Sequence, residues 1–209
     1  FIRQFRSMKK YYPLFLLFLI TIPFYSQPGV KAGINLSSLR SDADKSKFMP
    51  GFHVGGFYDF KLTGNLYLQP NFLFSYDPTE TEYNNKNDKI KNTGFYITSP
   101  VMLSYRQPIN NNGKIIFDLG AYLSVGILGD YKIQKVENGQ YKQLSEPLFK
   151  YYRERLEAGL IGGMGYEIND YIFSSHLRYG FNSVTLDYDY TILLMFSVAH
   201  RFGKWKLKA

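Results

Sequence analysis

The sequence predicts an all-β chain, an eight-stranded antiparallel up-and-down transmembrane β-barrel preceded by a cleavable signal peptide. Three observations carry that prediction. Apolar and polar residues alternate with period two through eight segments, the mark of strands with one apolar face. Tyr and Phe, 19 and 18 of 209 residues, gather near the segment ends, where amphipathic rings border the apolar band of a membrane barrel. Short and long connections take turns along the chain, as short turns on one side of a membrane and long loops on the other require.

The leader comes first. Lys9 and Lys10 follow Met8, an apolar run covers 11–25 broken by Pro13, Thr21 and Pro23, and Ser26, Gln27 and Pro28 close it. A basic start, a short apolar core and a small exit residue read as a secretory signal. The run is shorter than the ~20 apolar residues of a membrane-spanning helix. Residues 1–26 are therefore assigned to an N-terminal extension and signal peptide, with Met8 as its start and cleavage after Ser26. Residues 27–209 are assigned to the barrel domain. Arg3, Arg6, Lys9 and Lys10 lie in the leader without an acid, so half of the net charge of +8 belongs to it. Nucleic-acid binding loses its main support.

The first strand is expected over 29–37 and the second over 52–62. The third sets Leu66, Leu68, Phe72, Phe74 and Tyr76 against Tyr67, Gln69, Asn71, Leu73 and Ser75. The fourth sets Phe95, Ile97, Val101, Leu103 and Tyr105 against Tyr96, Thr98, Met102, Ser104 and Arg106. The fifth, 115–130, carries Phe117, Leu119, Ala121, Leu123, Val125 and Ile127 on its apolar face. The sixth, 156–168, alternates Leu156, Leu160, Met164 and Tyr166 with Glu157, Gly159, Gly163, Gly165 and Glu167. The seventh, 171–181, opposes Phe173, Leu177 and Tyr179 to Ser174, His176, Arg178 and Gly180; the eighth, 190–202, opposes Leu194, Phe196 and Val198 to Leu193, Ser197 and Arg201. Several exceed the roughly 9–11 residues that span a bilayer as a tilted strand. Pro70 and Pro100 fall inside strands, where each removes a ladder donor, so a bulge or break is expected at both.

Connections at 62–64, 107–113 and 169–170 read as short turns; 39–49, 77–92, 132–151 and 182–189 read as long outer loops, the second of them Asn-rich and mobile. Over 132–155, Lys132, Lys135, Lys142, Lys150, Arg153 and Arg155 outnumber Glu137, Glu146 and Glu154. Such a loop suits lipopolysaccharide phosphates or an acidic protein partner, besides plain solvation.

The sequence resembles the PorT-like outer-membrane β-barrel family in several short pieces. These are Val30-Lys31-Ala32-Gly33-Ile34-Asn35-Leu36, Ile97-Thr98-Ser99-Pro100-Val101-Met102-Leu103, Leu119-Gly120-Ala121-Tyr122, residues 159–166, Leu177-Arg178-Tyr179-Gly180 and Ala199-His200-Arg201-Phe202. The resemblance implies a Gram-negative outer-membrane location and a barrel of porin-like fold. The founding member's link to protein export makes an accessory role in export one implied reading.

The polar phase places Arg106, Asp118, Glu157, Glu167, His176, Arg178 and Arg201 in the lumen, where an eight-stranded barrel has room only for side chains. A paired structural network is expected there rather than a proton or ion path, with Gly33, Gly55, Gly120, Gly126, Gly159, Gly163 and Gly165 making room for Tyr67, Tyr96 and Tyr122. No catalytic residue, cofactor or metal site is assigned. With no Cys and only His53, His176 and His200, transition-metal ligands are scarce. A lipid-modifying hydrolase needs Ser, His and an acid within reach of one another. Ser174 and His176 share one strand face without further support, His53 has no obvious serine partner, and His200 sits on the apolar face. A Gly-rich run at 159–165 lies in a strand with no helix after it, unlike a nucleotide loop. A soluble lipocalin-like barrel would invert the two faces, and solubility without detergent separates it from the membrane form.

Overall fold

The computed structural model describes residues 26–40, 45–83, 88–109, 113–137, 140–151, 154–181 and 190–202. The leader assigned to 1–26 lies outside them except for Ser26, as do the last long loop, 182–189, and the tail 203–209.

Alternation becomes strand throughout. The elements are β1 Ser26–Arg40, β2 Lys45–Lys47, β3 Met49–Thr63, β4 Leu66–Tyr76, β5 Thr79–Tyr83, β6 Asp88–Pro108, β7 Gly113–Glu137, β8 Gln140–Pro147, a single helical turn α1 Leu148–Tyr151, β9 Leu156–Ile168, β10 Tyr171–Gly180 and β11 Tyr190–Arg201. Every pairing is antiparallel. Strands β6, β4, β3, β1, β11, β10, β9 and β7 follow one another, and β7 returns to β6, which closes a ring of eight. A closed ring leaves no edge within the wall.

One end carries tight turns. Gly64 and Asn169 hold positive φ there, 50° and 54°, the conformation that two-residue hairpins favour Gly and Asn for. The other end is longer than the sequence predicts. Residues 77–92, expected as a mobile loop, contain β5, which pairs with β6 from Thr79↔Asn92 to Tyr83↔Asp88. Residues 132–151 continue β7 and fold back as β8, from Asp130↔Pro147 to Glu137↔Gln140. Within 39–49, β2 pairs with β5. These stretches are polar on average, but β structure needs only a matching ladder, and β6 and β7 extend far enough to supply one.

The outward phase of the ring stays exposed although it is apolar: Ile34, Leu119, Met164, Leu177, Phe196 and Val198 are examples. Rings cluster at both margins. Phe74 and Phe95 stack at 5.6 Å, with Tyr76 5.0 Å from Phe95, toward the long-strand end; Tyr171, His200 and Phe202 meet at 4.9 and 5.4 Å at the turn end. Among the described residues no helix is long and apolar enough to cross a membrane.

The two prolines interrupt the ladder without shifting it. Between β4 and β6 the pairing skips from Pro70↔Val101 to Leu73↔Thr98 and keeps its register. Register shifts fall elsewhere: between Lys61 and Thr63, where β3 pairs with β4, and where Phe95↔Leu128 is followed by Tyr96↔Gly126 with Ile127 as the extra residue. A bulge flips the faces beyond it. Leu128 is therefore the exposed residue, 67% accessible, and the assignment of Ile127 to the regular outward phase is corrected.

Candidate functional site

The inward phase builds a lumen of buried polar groups and two apolar clusters. Leu73, Met102, Tyr122, Ile161, Leu193 and Met195 form one cluster; Phe57, Ile116, Ile172 and Ala199 form the other. Each charged residue predicted to face inward is buried there.

At the turn end, two arginines share two carboxylates. Arg201 donates from Nε to Asp59 Oδ2 at 2.8 Å and from its terminal nitrogens to both Glu167 oxygens at 3.1 and 2.7 Å. Arg106 donates to Asp59 Oδ1 at 2.7 Å, lies 3.5 Å from Glu167 and stacks 4.4 Å over Tyr67. Lys114 reaches Glu167 at 2.6 Å from the rim. Buried charges need such multiple pairing, because an ion left alone in a low-dielectric interior is costly.

Toward the long-strand end, Arg178 lies 4.4 Å over the Tyr122 ring and donates to Glu157 Oε1 at 3.3 Å. Tyr122 donates to the same oxygen at 2.5 Å, and Thr191 to Glu157 Oε2 at 3.0 Å. Deeper in, His176 meets Asp118 at 2.9 Å, and Lys31 donates to Asn71 at 3.2 Å.

A third group lies beside the Arg178 cluster, with Asp77 3.8 Å from Arg178. His53 Nε2 lies 2.8 Å from Ser197 Oγ, and its Nδ1 lies 2.6 Å from Asn35 Oδ1. Asn35 donates through Nδ2 to the Phe52 carbonyl at 3.1 Å and to Asp77 Oδ1 at 2.7 Å; Ser75 donates to Asp77 Oδ2 at 2.8 Å. With the Asn35 amide nitrogen thus engaged, its oxygen accepts, His53 Nδ1 carries the proton, and Nε2 accepts from Ser197. Asp77 lies beyond the end of β4 and beyond the aromatic margin. Its burial lifts the carboxyl above the ordinary carboxylate value, although Arg178, Ser75 and Asn35 favour its ionised form.

Serine, imidazole and amide stand in the order of nucleophile, base and orienting group. The absence of a serine partner for His53 is thereby corrected. Sequence separation hid the contact: β1 has β3 on one side and β11 on the other, and Gly33 pairs with both His53 and Ser197. A Cβ at Gly33 would sit 2.6 Å from His53 Cε1. Conversely, His176 bonds Asp118 and not Ser174, whose hydroxyl finds no partner among the described residues. His200 lies outward among aromatic rings. Of the tyrosines expected to fill glycine gaps, Tyr122 does so at Gly159, but Gly163 makes room for His176 and Gly126 for Phe149.

Enclosure decides what the relay can do. His53 is 1% and Ser197 5% exposed, and on the inward face of β11 Ser197 stands between Met195 of one apolar cluster and Ala199 of the other. Among the described residues no group of His, Asp and Glu is arranged to hold a metal.

A family model described as outer membrane protein beta-barrel domain matches residues 23–186. No curated protein matches the chain. Among solved structures, Ail, the attachment invasion locus protein of Yersinia pestis, is 17% identical over 85% of this chain and 99% of its own, with a TM-score of 0.43. Neisserial surface protein A is 14% identical over 84% and 97%, and OprG from Pseudomonas aeruginosa 11% over 85% and 94%, both with a TM-score of 0.44.

Proposed function

The chain belongs to the outer membrane protein β-barrel domain family, and on that premise we propose a non-conducting, non-enzymatic barrel that presents an outer sheet to a binding partner. One observation carries the reading: paired polar side chains and two apolar clusters fill the lumen, while β5, β6, β7 and β8 run on past the aromatic margin. A lumen filled this way has no path for solute, so the surface left for function is the extension. In a barrel with short periplasmic turns, that extension stands outside the cell.

The PorT-like affiliation, export after removal of a leader ending at Ser26, and an accessory role in protein export belong to the same proposal. So do lipopolysaccharide and protein partners on the outer strands, where Lys91 and Lys132 face each other across β6 and β7. Glu80 faces Lys91 from β5 and offsets part of this like-charge repulsion; the remainder favours an anion between the two lysines. The purified barrel should pass no measurable current in a planar bilayer, and it should lose bound lipopolysaccharide when Lys91 and Lys132 are both replaced by Gln. Steady single-channel conductance, or unchanged lipopolysaccharide binding, counts against the respective half of the proposal.

The relay at His53 favours a second reading, a lipid hydrolase. It requires Ser197 to be reachable by an ester. The apolar residues on either side of Ser197 speak against that, and labelling by a serine-reactive fluorophosphonate tests it directly.

A further inference from the structure

The outer mouth of the lumen carries a seal that is not part of the ladder. Between β8 and β9 the single turn α1 leaves the strands and packs chiefly against β7 and β6. Its Leu148 is fully buried on Gly129, where an added Cβ would come within 2.9 Å of Leu148 Cδ2. Phe149 occupies the space that a side chain at Gly126 would take, and it meets the Tyr96 ring edge-on at 5.6 Å. Glycine at 126 is a condition of that close approach.

Register fixes what lies underneath. Tyr96 pairs with Gly126, and one rung deeper Thr98, Ser124 and Glu157 stand side by side on the same inward face. The Phe149 ring therefore covers the rung that holds Glu157, the carboxylate shared by Arg178, Tyr122 and Thr191.

The hold on this seal is local and faces solvent. Arg155 is exposed; it donates through Nη1 to the carbonyls of Gly126 and Ile127 at 3.0 and 3.2 Å, and its guanidinium lies 5.4 Å over the Phe149 ring. A cation–ring contact at an exposed site is weak, and one helical turn has little stability of its own. Beneath the ring, Arg178 Nε and Nη1 find no hydrogen-bond partner among the described residues, so water that enters there gains bonds without breaking any. We propose that Leu148 and Phe149 form a movable plug latched by Arg155, whose withdrawal opens the outer half of the lumen to water and small solutes as far as the Glu157–Arg178 pair. Opening ends there, because Arg106, Arg201, Asp59 and Glu167 fill the turn end. The plug thus guards a vestibule with a closed floor, and it acts whether or not the outer sheet binds a partner.

The chain contains no cysteine, so a single introduced thiol reports access. Ser124→Cys lies directly under the plug, and Ser104→Cys, equally buried, lies three rungs deeper. Each is placed in the whole barrel in phosphatidylcholine nanodiscs and treated with a charged methanethiosulfonate. Ser124→Cys should react slowly with the latch intact and at least tenfold faster with Arg155→Ala, in which Phe149 itself is kept. Phe149→Ala should react at least as fast, and Arg155→Lys should restore part of the protection. Ser104→Cys should stay unreactive throughout, and heat-modifiable gel mobility reports the folding of each variant. Equal rates at Ser124→Cys with and without the latch in a folded barrel overturn the proposal, as does full reactivity with the latch intact. So does reaction of Ser104→Cys in step with Ser124→Cys, which would mean that the wall loosens as a whole.

Discussion

The imidazole of His53 passes over Gly33 of β1 and meets Ser197 of β11 at 2.8 Å. A glycine in the intervening strand is therefore a condition of the contact. Gly33→Ala brings a methyl within 3 Å of the ring and of the Phe196 carbonyl. Overpacking of this kind costs about 1–3 kcal/mol. Urea unfolding of the refolded barrel in detergent should show a lower midpoint for Gly33→Ala, while Gly56→Ala, whose new methyl meets nothing nearer than 3.5 Å, should move it little.

Enclosure of the same relay fixes its reactivity. Ser197 should resist fluorophosphonate labelling in the folded barrel, and His53→Gln should change no lipid-hydrolysing activity. That substitution should instead lower stability by about 1–3 kcal/mol, since it leaves buried partners unsatisfied. Labelling of Ser197 that disappears in His53→Gln would establish the hydrolase.

Glu167 binds Arg201 through both oxygens and also engages Lys114 and Arg106. Removing it leaves two buried guanidinium groups to share Asp59 alone, and breaking a buried pair in this way costs about 3–5 kcal/mol. Glu167→Ala should unfold at markedly lower urea than Lys114→Ala, because Lys114 is partly exposed and solvent can replace it. Equal effects would mean that the cluster is not held by buried pairing.

Asp77 carries a pH dependence of definite sign. Its carboxyl is raised in the folded chain above the ordinary 3.8. Such a group favours the fold fully below its unfolded value, and that contribution fades as pH rises through the folded value. Stability from Asp77 should thus decline as pH climbs out of the carboxylate range. Asp77→Asn keeps an acceptor for Asn35 and cannot ionise, so the slope should be shallower in the variant. Parallel urea midpoints of both proteins across that range would remove the assignment.

The ring was legible because period two marks each strand by itself, and the faces of Leu193–Phe202 or Leu66–Tyr76 need no knowledge of neighbours. Ion pairs were legible only as a set. Arg201 and Asp59 are far apart in sequence, and their meeting depends on β1 lying between β3 and β11. The Ser197–His53 contact was missed for that reason, although an inward Gly33 was its one visible trace. The extension past residue 130 was missed because polar alternation in 132–147 resembles a solvated loop until a paired strand is supplied. The bulge at Ile127 leaves no local signal beyond the glycines at 126 and 129.

Neighbouring residues on β11 separate the two faces of the wall. Phe196 is 42% exposed on the outward phase, and Ser197 is 5% exposed on the inward one. In hydrocarbon, Arg at mid-belt costs roughly 2–4 kcal/mol, so Phe196→Arg should slow or prevent folding into lipid vesicles. A water-soluble barrel with inverted faces would also reject it, because Phe196 would then lie in the core. Ser197→Arg decides between them. In the lumen it must displace His53 from its 2.8 Å contact and bury a charge whose nearest carboxylates are already paired, so folding should fail at least as completely as with Phe196→Arg. On an inverted barrel the same residue faces water, and the substitution should be silent. Heat-modifiable gel mobility, read for both variants after refolding in detergent, gives the comparison. A Ser197→Arg protein that folds normally and stays in solution without detergent would reverse the assignment of the two faces.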